Sequence, residues 1–435
     1  MQYYSTGRQT GPVSLKEAVT KGLAADGGLY MPVSLPEFPA SFFELAANMS
    51  LQEISFEVAS AYLKDDVPVN TLSDIISSSL NFPIPLTEVE PGIYSLELYH
   101  GPTMAFKDVG ARFMSRLLAY LHRGGDRSLN VIVATSGDTG SAVAAGFFNV
   151  PGINVFVFFP KGKVSPLQQK QITTWGGNIY AVEVDGSFDD CQKLAKQMLG
   201  DSQLNSSLLL TSANSINIAR LIPQSFYYYY ARARLSGRHL PTVFSVPSGN
   251  FGNLTGGLMA KATGLPVHQF IAATNINDVF REYLTTGVYR SRPSRQTISN
   301  AMDVGDPSNF ARIMDLMGSD IGNFRKNIVS YSYTDEETSD SIKEVYSETG
   351  YIMDPHGAVA YRGLKQYLSV YREEVSAVFL ETAHPAKFPE TMMNIVPPGN
   401  ELPAQLQGVI NKEEKYHQAG NDLEEIKAYI MQINS

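Results

Sequence analysis

One cysteine, Cys191, stands in 435 residues, so no disulfide can close within the chain and a reducing compartment is expected. Long hydrophobic runs are missing too; the most apolar stretch, Val155–Phe159, is far too short to span a bilayer. Met1–Thr10 is polar and lacks the basic-then-apolar profile of a secretory leader, which points to a cytoplasmic location. Positive charge is in deficit: 34 Lys and Arg against 43 Asp and Glu leave a net charge of −9, with the basic residues dispersed. That balance argues against nucleic acid or an anionic membrane as the main partner, and any bound anion must be held by local geometry. Cys/His clusters, a His-Glu-x-x-His pattern and a Gly-x-Ser-x-Gly elbow are all absent, so neither a metal site nor serine hydrolysis is expected.

What remains is a chain long enough for two or three domains, with 43% apolar residues to build their cores. Residues 1–95 read as a mainly helical N-terminal region. Ser14…Glu17, Ser41…Glu44 and Ser50…Glu53 are spaced as capping boxes, and Leu51–Leu63 is the clearest helix. Pro83 and Pro85 then favour an extended linker over Asn81–Leu86. From residue 129 strands and helices alternate. Strands are predicted at Leu129–Ala134, Asn154–Phe159, Ile179–Val184 and Leu208–Leu210, followed by a helix from near Asn214 through Tyr230. A second series has strands at Thr242–Val246, Phe270–Thr274 and Val375–Leu380, with helices at Leu254–Ala262 and Asn277–Leu284. The pattern predicts an α/β protein with two parallel-sheet lobes and a ligand cleft outside the carboxyl ends of the strands. The lobes are expected at 129–225 for the smaller and at 96–128 with 226–435 for the larger.

Several motifs sit where chemistry is possible. Lys107, in Tyr-His-Gly-Pro-Thr-Met-Ala-Phe-Lys-Asp (99–108), falls just inside the start of a helix. The helix dipole there disfavours an ammonium, and a neutral amine is the form that condenses with an aldehyde. Ser248-Gly-Asn-Phe-Gly-Asn253 joins a strand to a helix without the Lys-Ser/Thr pair of a Walker loop. It suits either phosphate binding by backbone N–H groups or a plain turn. Thr135-Ser-Gly-Asp-Thr-Gly140 could hold a carboxylate through Ser136 and Thr139, or merely cap a helix. In Asn214-Ser-Ile-Asn-Ile-Ala-Arg220, amide, hydroxyl and guanidinium could converge on an anion; the alternative is a helix cap with a surface arginine. Thr382 should stand at the carboxyl end of the late strand, facing a ligand heteroatom or a backbone group. His100, His356 and His384 are isolated and read as structural.

Taken in order, these five motifs resemble those of threonine synthases, in the longer form with an N-terminal extension, over nearly the whole chain. The resemblance implies the tryptophan-synthase-like fold, with pyridoxal 5'-phosphate between two lobes. It implies that Lys107 forms the cofactor imine and that Gly249, Asn250, Phe251, Gly252 and Asn253 cradle the cofactor phosphate. Thr382 is similar to the hydroxyl donor to the pyridine nitrogen, and Asp138 stands where many relatives carry an asparagine facing the ring hydroxyl. Ser136 and Thr139 resemble residues holding the substrate carboxylate and neighbouring groups. Asn214, Ser215 and Arg220 resemble the grip on the phosphate of O-phospho-L-homoserine, the small-molecule substrate. The implied reaction makes L-threonine and phosphate, in a monomer or a homodimer. Two other readings stay open: a phospholyase or deaminase releasing a keto acid, and a non-catalytic sensor of a phosphorylated ligand.

Overall fold

The computed structural model describes residues 1–238, 240–318, 320–397 and 402–435. It opens with a three-stranded antiparallel sheet, β1 (Gln2–Ser5), β2 (Val13–Ser14) and β3 (Tyr30–Pro32), with β1 in the middle. Helices follow, including Leu51–Leu63, whose capping box between Ser50 and Glu53 forms as the spacing predicts. Ser14 likewise accepts from Glu17 N. The box expected at Ser41 does not form. Pro39, extended at φ −69° and ψ 158°, takes the cap position, and the helix Ala40–Ala46 has begun before Ser41 is reached. Proline's fixed φ suits that entry.

The chain then builds two sheets. In order it lays down β4 (Leu86–Glu90), β5 (Ile93–Glu97), β6 (Leu129–Ala134), β7 (Ile153–Pro160), β8 (Ile179–Val184) and β9 (Leu209–Ser212). β10 (Thr242–Pro247), β11 (Gln269–Thr274), β12 (Ile328–Ser332), β13 (Ser376–Glu381) and β14 (Tyr416–Ala419) complete the set. One sheet has the order β12-β11-β10-β13-β5-β4 and is parallel except for the edge pair β4–β5; the other, β14-β8-β7-β6-β9, is parallel throughout.

Two boundaries differ from the sequence reading. The six-stranded sheet starts at Leu86, so a division at 95 cuts through β5. And β14 pairs with β8, which returns the end of the chain to the five-stranded sheet instead of leaving all of 226–435 with the other lobe. Tyr416–Ala419 carries little local signal; its placement comes from packing of Ile426 and Ile430 beneath the five-stranded sheet.

Helices cover both faces of the sheets, which is why the central strands read as unbroken apolar runs. In β10, Phe244 and Val246 join one core while Val243 faces a second; in β6, Val131 and Val133 face one way and Ile132 and Ala134 the other. The loops after β5, β6, β9, β10 and β13 all leave the carboxyl ends of parallel strands. They meet in the cleft between the sheets, and every candidate site residue lies on one of them or on the first residues of the helix it leads into.

Candidate active site

Lys107 is the first residue of the helix Lys107–His122. The loop before it is stapled to the segment after β13: Phe106 N donates to Thr382 O at 2.8 Å, and His384 N to Met104 O at 3.1 Å. Asp108 closes the turn from inside, accepting from Thr103 N at 2.8 Å and from Thr103 Oγ1 at 2.7 Å. The turn is tight enough that a Cβ on Gly101 would lie 2.5 Å from Asp108 Oδ2. Lys107 is therefore held by backbone on both sides. Its Nζ donates to Thr139 Oγ1 at 2.9 Å. Burial pushes the Lys107 amine down to about 8, with Asp138 opposing the shift and Arg220 and Lys387 adding to it. Burial favours the neutral form of this amine.

Opposite stands the glycine-rich loop. Phe251 takes the left-handed conformation (φ 58°) and caps the helix Gly252–Ala262, whose start receives no side-chain cap. The N–H groups of that first turn remain available to an anion. Gly249 is needed for close approach, because a Cβ there would come 2.8 Å from both Ala301 O and Met302 Cα. Asn253 Oδ1 accepts from Tyr227 OH at 2.6 Å and from Tyr228 OH at 2.7 Å, while its Nδ2 is buried without a hydrogen-bond partner among the described residues. The tyrosine run at 227–230, which reads from the sequence as packing, thus also aims an amide donor.

The 214–220 segment departs from the predicted helix. Asn217, not Asn214, is the helix cap; the helix Ile218–Leu221 passes into a 3-10 turn at Ile222–Ser225 before the helix Phe226–Arg234. Pro223 within this stretch interrupts the α-helical ladder. The Asn214 side chain pairs with Ala134 of β6, donating to its O at 2.7 Å and accepting from its N at 3.1 Å. Ser215 Oγ accepts from Asn250 Nδ2 at 3.2 Å and from Asn309 Nδ2 at 2.9 Å. Arg220 is buried, donates through Nη1 to Ala213 O, and keeps a buried Nε without a partner among the described residues.

These residues share one cavity, lined by Lys107, Ser136, Thr139, Asn214, Ser215, Arg220, Gly249, Asn250, Phe251, Gly252, Asn253 and Thr382. Phe188, Gln224, Met302, Val304 and His356 also line it, and motif reasoning missed them. His356 passed as a structural histidine. Its Nε2 accepts from Ala301 N at 3.1 Å and its Nδ1 lies 2.5 Å from Asp354 Oδ1, so it braces the 301–304 wall. Only the Asp354-Pro355 start of its helix hinted at a fixed position.

Across these motifs the family-level comparisons agree. The model of pyridoxal-phosphate dependent enzymes matches residues 81–382, that of the threonine synthase N terminus residues 2–80, and that of the threonine synthase C-terminal region residues 357–430. A threonine synthase of Escherichia coli is 42% identical over 407 residues, 93% of this chain and 94% of that protein. This chain belongs to the threonine synthase family. Two solved threonine synthases superpose on it over nearly their whole length. The E. coli crystal structure matches with a TM-score of 0.93 at 40% identity, covering 100% of both chains. That of Brucella melitensis, described as bound to pyridoxal phosphate, has a TM-score of 0.92 at 32% identity over 100% of this chain and 99% of its own.

The residues present fit the cofactor of this threonine synthase family. The orphaned Asn253 amide, the uncapped helix start and the space kept open by Gly249 suit a phosphate, and Lys107 offers a buried amine of depressed basicity. Asp138 does not line the cavity; its Oδ1 accepts from Lys387 Nζ at 2.5 Å and from Gln168 Nε2 at 3.0 Å. Burial works against its charge, but Lys387 and Lys107 hold the carboxyl below its usual range.

Proposed function

We propose that the chain converts O-phospho-L-homoserine and water to L-threonine and inorganic phosphate. The observation that carries the reading is the placement, in one cavity of a threonine synthase family member, of a buried amine and an anion cradle. Lys107 would hold the aldehyde of pyridoxal phosphate, and residues 249–253 its phosphate, with Thr382 at the ring nitrogen. The bound cofactor supplies the electron-withdrawing system that makes hydrogens at Cα and then Cβ acidic. Lys107 moves those protons: tethered at the helix start and steadied by Thr139, it can serve both carbons from one position. Ser136 and Thr139 orient the substrate carboxylate. Arg220, with Ser215, takes the leaving phosphate as its bond to Cγ breaks, while Asn214 fixes that loop against β6. Enclosure of the site between the sheets keeps bulk water from the reacting carbons until water is added at Cβ.

Incubation of the cofactor-loaded protein with O-phospho-L-homoserine should release phosphate and threonine in equal amounts. Phosphate release with a keto acid and ammonia in place of threonine would overturn the proposal, as would no release at all.

A further inference from the structure

We propose that Lys387 is a positioning residue for Lys107, occupying the Asp138 carboxylate so that Lys107 gives up its proton more readily. The inference rests on reading Lys107 as the cofactor-binding amine, and concerns what sets the state of that amine. Lys387 is 0% exposed and Asp138 3% exposed, and they come from opposite sides of the cleft. Lys387 lies in the 3-10 turn Pro385–Lys387 after β13, and Asp138 opens the helix Asp138–Phe147 after β6.

Lys387 Nζ donates to Asp138 Oδ1 at 2.5 Å and to Thr103 O at 3.0 Å, on the loop that carries Lys107. Gln171 Nε2 reaches the same Thr103 carbonyl at 3.1 Å, and Ser165 Oγ donates to Lys387 O at 3.2 Å. Thr139, the next residue after Asp138, accepts from Lys107 Nζ at 2.9 Å. The charged groups that act on Lys107 are thus Asp138, Arg220 and Lys387. Around the Asp138–Lys387 pair stand His356, facing Asp138, and Asp108 and His384, facing Lys387. A buried carboxylate without Lys387 would find its strongest remaining compensating charge on Lys107 and stabilise the protonated amine.

Titrating the amine itself separates this role from that of a simple strut. In the cofactor-free protein, reductive methylation with formaldehyde and cyanoborohydride, read at Lys107 by peptide mass spectrometry across pH, reports the neutral fraction. Lys387→Met should move the midpoint up by about one pH unit. Lys387→Arg should leave it near wild type, and Asp138→Asn/Lys387→Met should bring it back. Asp138→Asn alone, which leaves Lys387 facing Lys107 unopposed, should move it down, and decides the matter if Lys387→Met does not fold. An unmoved midpoint in folded Lys387→Met or in Asp138→Asn would overturn the proposal, as would a double variant as displaced as Lys387→Met. Failure of the functional reading would show differently, as wild-type protein in which reduction fixes no pyridoxal phosphate to Lys107.

Discussion

Lys107 Nζ reaches Thr139 Oγ1 at 2.9 Å, joining a helix that follows the six-stranded sheet to one that follows the five-stranded sheet. The Lys107 amine is therefore steadied from both sides of the cleft, with its basicity lowered by burial there. Removing the Thr139 hydroxyl tests whether that steadying matters. Thr139→Val should lower kcat about tenfold, ~1.4 kcal/mol, while pyridoxal phosphate still becomes fixed to Lys107 on reduction. Steady-state kinetics beside borohydride trapping reads both quantities, and an unchanged kcat would make the contact incidental.

Lys107→Ala should abolish both turnover and borohydride-stable attachment of pyridoxal phosphate, with a circular-dichroism melt close to wild type. Deleting this amine leaves the helix Lys107–His122 intact, because its packing face includes Phe113, Met114, Leu117 and Leu118. Attachment at another lysine in the mapped peptides would move the site.

The depressed basicity of Lys107 predicts a pH profile. Below a pKa of about 8 the neutral fraction falls tenfold per pH unit, and above it the fraction saturates. The rate at which cofactor-free protein takes up pyridoxal phosphate should thus rise through the neutral range and level off above about pH 8, followed by absorbance. An exposed lysine, at its ordinary pKa near about 10.4, would go on rising. A profile still climbing at pH 10 would contradict the burial.

Asn253 offers its unpaired amide because two tyrosine hydroxyls hold its carbonyl oxygen. Tyr227→Phe should weaken pyridoxal phosphate several-fold, about 1 kcal/mol, and leave pyridoxal, which lacks the phosphate, unaffected. Equilibrium titration of the two ligands checks this, and equal losses for both would take Asn253 out of the phosphate cradle.

Gly249→Ala asks whether the cradle tolerates a methyl group. With Ala301 O and Met302 Cα both 2.8 Å from the added carbon, backbone must move and the 301–304 wall with it. The expected cost is about 1–3 kcal/mol of stability and at least about tenfold in cofactor affinity, read by thermal melts and titration. A variant with wild-type Tm and affinity would mean that the loop has slack.

The parts of this protein legible in its sequence are those settled within a few residues. Strand-to-loop-to-helix junctions announce themselves through apolar runs that end in Gly, Ser, Thr or Asn, and the candidate site residues lie on such junctions or just beyond them. That is why Lys107, the 249–253 loop and Thr382 could be located at such junctions from the residues, while their expected roles came from the family resemblance; all of them line one cavity. Local signals also mislead when a neighbour outcompetes them, as Pro39 does at Ser41 and Asn217 does at Asn214.

Tertiary structure decided whatever depends on partners distant along the chain. Asp138 meets Lys387 across 249 positions, and β14 closes a sheet begun near residue 129. Neither pairing leaves a mark on spacing or composition. The physical reason is that charge pairing, donor satisfaction and the basicity of a buried amine are set by which groups share a low-dielectric space, and only the folded chain brings those groups together.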